Sequence, residues 1–268
     1  MEQDLHWALE RGEFEVYYQP IVDMKSGSVF GAETLIRWQH PQRGLIVPDL
    51  FIPLAEETGL VSEIGEWVLR TVCEQSGHLR EAGMPALNLS VNVSRYQFTH
   101  YEFENRVLQI LDETKMNPAV LVLEVTESAM TDDEENAIGI MRRIRDAGLR
   151  WSLDDFGTGY SSLSYLKRFP VDTLKIDRTF VRDVITDADD EALIRAIVAM
   201  AHSLKVKVVA EGIETREQRQ FLEGLGCEYG QGFFFARPLE IEAFKKYVGE
   251  SVARVEQRAV SAKPSPVA

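Results

Sequence analysis

Apolar positions along the chain fall into two periods, and the alternation between them predicts the architecture. The run Phe14-Glu15-Val16-Tyr17-Tyr18-Gln19-Pro20-Ile21-Val22 is β-branched and aromatic and predicts a strand; Val29 to Trp38 predicts a second, across the turn Lys25-Ser26-Gly27. A short helix from Asp4 to Arg11 precedes them. Pro48 opens another helix, with Leu50, Phe51, Leu54 and Ala55 at helical spacing and Gly59 as its stop. From Ser62 to Ala82 the residues Ile64, Trp67, Val68, Thr71 and Val72 share one helical face.

Beyond this point strands and helices alternate regularly. Strand Leu87–Val93 precedes helix Phe103–Glu113, and strand Val120–Thr126 precedes a helix from Thr131, where Thr131 and Glu134 form a capping-box pattern. The strand beginning at Trp151 ends in Asp154-Asp155 and leads through a glycine-rich turn to a helix near Ser162–Arg168. Strand Thr173–Asp177 leads to helix Glu191–Leu204, strand Val206–Ala210 to helix Arg216–Leu225, and a short strand near Tyr229 to a helix after Pro238. Eight strands alternating with helices predict an α/β fold, a TIM-like (β/α)8 barrel forming one domain over residues 1–250. The tail 255–268, with Lys263-Pro264-Ser265-Pro266, is polar and expected to be disordered.

Composition narrows the function. The 268 residues are 45% hydrophobic and 27% charged, so a large core is available. The formal net charge of -14 argues against a polymeric nucleic acid as partner, while a small anion could bind if cations supplied positive charge locally. Two cysteines far apart, Cys73 and Cys227, suit a reducing compartment rather than a disulfide or zinc framework. The acidic N-terminus is no secretory signal, and the apolar runs are too short to span a bilayer, so a cytoplasmic location is expected, with no membrane segment in this chain.

In barrels of this kind the chemistry sits where strands end. Read in order, those ends present Glu33, Asn92, Glu124, Asp154 with Asp155, Lys175, Glu211 and Gln231. Taken alone, an Asp-Asp pair before a glycine turn is equally well a solvated turn with one capping Asp. Five carboxylates converging without a cation would repel one another by several kcal/mol, roughly, even at high effective dielectric. Oxygen ligands without His or Cys favour Mg²⁺ or Mn²⁺, and the five scattered histidines make zinc chemistry a weak reading. Lys175 is either a structural partner to these acids or a group that orients a reactive water.

These residues carry a family resemblance over about Asp4 to Tyr247. Tyr18-Gln19-Pro20-Ile21-Val22, Glu33-Thr34-Leu35-Ile36-Arg37-Trp38, Asn92-Val93-Ser94, Glu124-Val125-Thr126-Glu127, Asp154 to Ser162, Leu174-Lys175-Ile176-Asp177, Glu211-Gly212-Ile213-Glu214-Thr215 and Gln231-Gly232-Phe233 resemble the EAL domains. These are bacterial phosphodiesterases that open cyclic di-GMP to linear pGpG. Thr34 departs from the family's Ala; as a strand neighbour of Glu33 it faces the other way, so a packing change is expected.

The resemblance implies two divalent cations, Mg²⁺ or Mn²⁺. Glu33, Asn92, Glu124 and Asp154 would hold one, and Asp154 with Asp155 the second, aided by Glu211. It implies catalytic roles for Lys175, Glu211 and Asp155 in positioning and activating the attacking water, substrate contacts for Gln19 and Arg37, and an ordering role for Gln231. Glu127 would anchor the loop after Asp155. The family's first strand runs antiparallel to the rest, as the tight Lys25-Ser26-Gly27 turn also requires. A homodimer, and fusion to sensory or GGDEF domains in a longer and membrane-anchored protein, are further implications. The alternative from another class is a receptor that binds cyclic di-GMP without cutting it, which the filled ligand positions disfavour. An enolase-type lyase would need a capping domain before the first strand, and a glycosidase would need sugar-stacking aromatics at the mouth.

Overall fold

The computed structural model describes residues 1–130, 133–157 and 166–261. Nine strands make one sheet: β1 (Phe14–Asp23), β2 (Val29–His40), β3 (Gly44–Ile46), β4 (Asn88–Asn92), β5 (Leu121–Thr126), β6 (Arg150–Phe156), β7 (Thr173–Ile176), β8 (Lys207–Ala210) and β9 (Tyr229–Gly230). β1 pairs with both β2 and β9, closing eight strands into a barrel on which β3 is an added edge. β1 is antiparallel to both neighbours, and from β2 through β4 to β9 the barrel pairings are parallel. The reversed first strand expected from the hairpin turn is therefore present.

The outer layer forms because each helix carries one apolar stripe. Helix Val61–Glu81 buries Ile64, Val68, Leu69 and Val72, and helix Phe103–Thr114 buries Val107, Ile110 and Leu111. Gly59, at φ 80°, ends helix Ile52–Thr58 in the left-handed region, where a side chain would be strained. Phe14, Trp38, Phe51 and Trp67 pack ring against ring at one end, and the buried indole of Trp38 donates to Glu13 Oε2 at 2.9 Å. That bond removes the cost of burying an indole N–H.

Several details differ from the sequence-based expectation. The helix after β5 spans Glu134–Asp146 and is capped by Asp133, whose side chain accepts from the Asn136 amide; Thr131, the expected cap, lies outside the described residues. An Asp is as good a cap as a Thr, and here it stands directly before the first helical residue. The final helix, Ile241–Ser261, continues past Val255, where the polar tail was expected to begin; residues 262–268 are outside the described set. Three short elements carry too little periodicity to be predicted: β3, helix Arg95–Phe98 and helix Arg178–Asp183.

Both thiols are buried, and burial pushes Cys73 and Cys227 up to about 12. Neither is a thiolate at pH 8, so a disulfide reagent such as DTNB is expected to label them only on unfolding. Rapid labelling of the native protein would contradict this packing.

Candidate active site at the strand ends

Strand register brings the predicted residues together before any side chain is considered. Gln19 of β1 lies opposite Glu33 of β2, and Asn92 of β4 opposite Glu124 of β5. Thr126 of β5 pairs with Asp154 of β6. Glu211 follows β8 and Gln231 follows β9, and their amides extend the ladder by donating to Ile176 O at 3.1 Å and Ala210 O at 2.9 Å. Gly232, beside Gln231, has φ 152°, and a Cβ there would sit 2.2 Å from the Ile213 carbonyl oxygen. Only glycine allows this approach, which clasps the two segments carrying Glu211 and Gln231.

At the centre stands Lys175, 1% exposed. Its Nζ lies 2.7 Å from Glu124 Oε2, 2.7 Å from Glu211 Oε1, 3.2 Å from Asp154 Oδ2 and 3.3 Å from Glu33 Oε2. The ring is completed by amides. Asn92 Nδ2 donates to Glu33 Oε1 at 2.9 Å, and Gln231 Nε2 donates to Glu33 Oε2 at 2.6 Å and to Gln19 Oε1 at 3.1 Å. Gln231 Oε1 is buried without a hydrogen-bond partner among the described residues.

One ammonium cannot balance four carboxylates, and burial is the largest influence on how each of these groups titrates, with the neighbouring charges second. Burial works against the charge of Glu33, but Lys175 and the bonds from Gln231 and Asn92 outweigh it and lower its pKa. Burial lifts Glu124 to about 8 against the pull of Lys175, with Glu33 and Asp154 adding repulsion. Glu211 is raised well above the carboxylate range, again by burial first. Lys175 is pushed down by burial and carried well above its ordinary value by Asp154, Glu124, Glu211 and Glu33.

Asp155 stands apart from this ring. The pairing of β6 with β7 shifts between Leu153 and Phe156, and Asp155 takes φ 54°, a left-handed state that Asp tolerates better than most residues. Four carboxylates, Glu33, Glu124, Asp154 and Glu211, gather on Lys175. Burial, followed by Asp154 and Asp177, raises the Asp155 pKa. With Asn92 and Thr126, Asp155 lines a cleft of 460 Å³ that runs outward past Thr34, Ile36 and Pro48.

Arg37 does not join the ring either. Its Nη1 donates to the Ile36 carbonyl at 2.9 Å and its guanidinium lies 5.5 Å from the centre of the Tyr17 ring. Burial lowers its pKa. Asp177 had no assigned role; it is buried and caps the helix that starts at Arg178, accepting from the Thr179 amide and hydroxyl. The Asp-x-Thr spacing was its sequence signal. Among the described residues no three acidic, His or Cys side chains form a ready-made cation cage, because the Lys175 ammonium occupies the middle of the carboxylates.

The pattern on the strand ends also has known counterparts. The family model described as "EAL domain" matches residues 2–238. This chain belongs to the EAL family. The EAL domain is 46% identical over 239 residues to the bifunctional diguanylate cyclase/cyclic di-GMP phosphodiesterase MucR of Pseudomonas aeruginosa, covering 89% of this chain and 35% of that protein. It is 39% identical over 247 residues to the cyclic di-GMP phosphodiesterase PdeR of Escherichia coli, covering 92% of this chain and 37% of PdeR. The chain thus spans about a third of the length of these relatives. Among solved structures, the MucR phosphodiesterase in complex with c-di-GMP superposes with a TM-score of 0.88 at 45% identity, covering 90% of this chain and 98% of that one.

In this EAL domain the name-giving triplet reads Glu33-Thr34-Leu35. Thr34 is buried and its hydroxyl donates to the Ser90 carbonyl at 2.6 Å. The extra hydroxyl is thus satisfied by the neighbouring strand β4, while Glu33 bonds to Asn92 and Gln231 in the central ring. Among the described residues no helix is long and apolar enough to cross a membrane.

Proposed function

We propose that this EAL domain hydrolyses one phosphodiester bond of cyclic di-GMP to linear pGpG, with two divalent cations, Mg²⁺ or Mn²⁺, bound at the carboxylate ring. The observation that carries the reading is the charge imbalance: four carboxylates at the ends of four strands, within 3.3 Å of one buried ammonium. The relatives named as phosphodiesterases and the c-di-GMP complex of MucR support the substrate.

The donor set fits hard cations. Every candidate ligand offers oxygen, and Asn92, whose amide nitrogen is given to Glu33, keeps its carbonyl oxygen for a cation. Glu33, Asn92, Glu124 and Asp154 would hold one ion; Asp154 and Asp155 would hold the other, with Glu211. Bound cations supply positive charge for the scissile phosphate and lower the pKa of a water beside it. Lys175 pairs directly with Glu124 and Glu211, and Glu211, held there as a carboxylate, would accept a proton from the attacking water. Gln231 and Gln19 form a neutral amide pair at the edge of the ring, able to orient a substrate without adding repulsion. Arg37, on the same strand as Glu33 and without an ion pair among the described residues, would receive a phosphate or base edge.

Two experiments test the reading. With Mg²⁺ the chain is expected to convert cyclic di-GMP to pGpG, and a chelator is expected to abolish conversion while leaving the barrel folded. Tight binding with no product in Mg²⁺ or Mn²⁺ would favour the receptor alternative.

Glu127 follows β5 directly, and its Oε2 is buried without a hydrogen-bond partner among the described residues. The loop it is proposed to anchor includes residues 158–165, outside the described set. Glu127→Ala is expected to lower turnover about tenfold or more and raise the Mg²⁺ concentration needed for half activity, the size seen for outer-shell partners of metal ligands. Unchanged turnover would remove Glu127 from the mechanism.

A further inference from the structure

The barrel has a second cleft, of 450 Å³, at the end opposite the carboxylate ring. Its walls include Arg150, Thr173 and Lys207, the first residues of β6, β7 and β8, whereas Asp154, Lys175 and Glu211 stand at the far ends of the same strands. Five cations line it: Arg145, Arg150, Lys167, Lys205 and Lys207. The one acid among its described lining residues, Asp172, is already engaged by Arg145 at 3.3 Å and by the Trp151 amide at 3.0 Å. In a chain of formal net charge -14, such a concentration of positive charge is not what an evenly mixed surface gives.

Two of these cations are held in place. Arg150 Nη1 donates to Asn88 Oδ1 at 2.9 Å, and Lys207 Nζ donates to the Tyr229 hydroxyl at 2.9 Å. Lys207 also lies 5.8 Å from the centre of the Phe30 ring, itself stacked on Tyr229 at 3.8 Å, and Phe30 forms part of the cleft wall. Lys167 and Lys205 are exposed and enter no ion pair among the described residues. Helix C-termini attract cations, which accounts for Arg145 and Lys205, near the ends of helices Glu134–Asp146 and Ala188–Ser203. It does not account for Arg150 and Lys207, which stand on strands.

We propose that this cleft binds a small phosphate-bearing anion, of the size of a nucleoside phosphate, with the phosphates on the Arg and Lys groups and Phe30 as the apolar wall. Planar guanidinium forks and mobile ammonium groups around one cavity suit multiply charged phosphoryl oxygens, and the volume lies within the range of small-ligand pockets. The site is separate from the carboxylate ring and does not depend on the reaction proposed there.

The test is calorimetric titration of the whole chain with GDP and, separately, with pyrophosphate, in EDTA and at low salt. Without divalent cations the carboxylate ring repels both probes. Saturable binding is expected, weakened at least tenfold in Lys167→Gln/Lys205→Gln and unchanged in Glu33→Gln. Both lysines are exposed, so the double variant keeps the fold. Tighter binding of GDP than of pyrophosphate, with the difference lost in Phe30→Leu, would identify a nucleoside phosphate; equal binding would identify a plain polyphosphate, and either supports the site. Absence of binding by both probes at millimolar concentration, or binding that survives the double lysine change, would overturn it.

Discussion

Lys175→Met is expected to lower the stability of the cation-free protein and to abolish measurable hydrolysis. The side chain is buried and pairs with four carboxylates at 2.7 to 3.3 Å. Removing one member of a buried ion cluster costs about 3–5 kcal/mol, because the remaining charges are left uncompensated. Methionine nearly matches the lysine stem in volume, so the loss reports charge rather than a cavity. The excess can be cancelled by other cations. Mn²⁺ is therefore expected to raise the melting temperature of the variant by more than it raises that of the parent, since ligand that binds only the folded state stabilises it. Equal melting temperatures without metal would show that the ammonium does not balance the ring.

Glu33→Ala is expected to reduce turnover by at least about 10²-fold, the scale of losing one preorganised charge-stabilising group, while the barrel stays folded. Glu33 accepts from Asn92 and Gln231 and lies 3.3 Å from Lys175, so its removal releases both amides at once. The stability change is small because two effects oppose each other. Buried donors lose their acceptor, at roughly 1–3 kcal/mol, but one of four mutually repelling carboxylates disappears. Glu33→Gln separates the two, since it keeps the shape and removes the charge. Pre-steady-state and steady-state conversion of cyclic di-GMP measure the effect, and turnover within a few-fold of the parent would exclude Glu33 from the cation site.

Much of this was legible in the sequence because barrels impose order on it. Long periodic segments such as Val61–Glu81 and Phe103–Thr114 were placed within a residue or two, and the strand ends were read from polar residues that terminate apolar runs. The antiparallel β1 followed from a turn too short for any crossover. What could not be read was the geometry of individual side chains. Regular pleating would send Asp155 to the face opposite Asp154, yet a register shift that no propensity encodes leaves it lining the cleft beside Asn92 and Thr126. Arg37 lies on the same strand as Glu33, but its stacking on Tyr17 depends on the β1–β2 pairing. Lys175 was legible as a partner to these acids, but not that all four of them, from Glu33 to Glu211, close on its one ammonium, because that depends on side-chain geometry across the barrel. The basic cleft at the opposite end was missed because its cations are scattered between Arg145 and Lys207 in segments that each read as ordinary surface.

The kink at Asp154 and Asp155 makes that stretch sensitive to length more than to chemistry. In a regular extended chain, consecutive side chains leave from opposite sides, so only an irregular step lets neighbours serve the same opening. Deleting or inserting a single residue just upstream would reverse the outlook of everything that follows, sending an acid towards the helical jacket. Variation at this point should therefore exchange one residue for another and leave the count untouched.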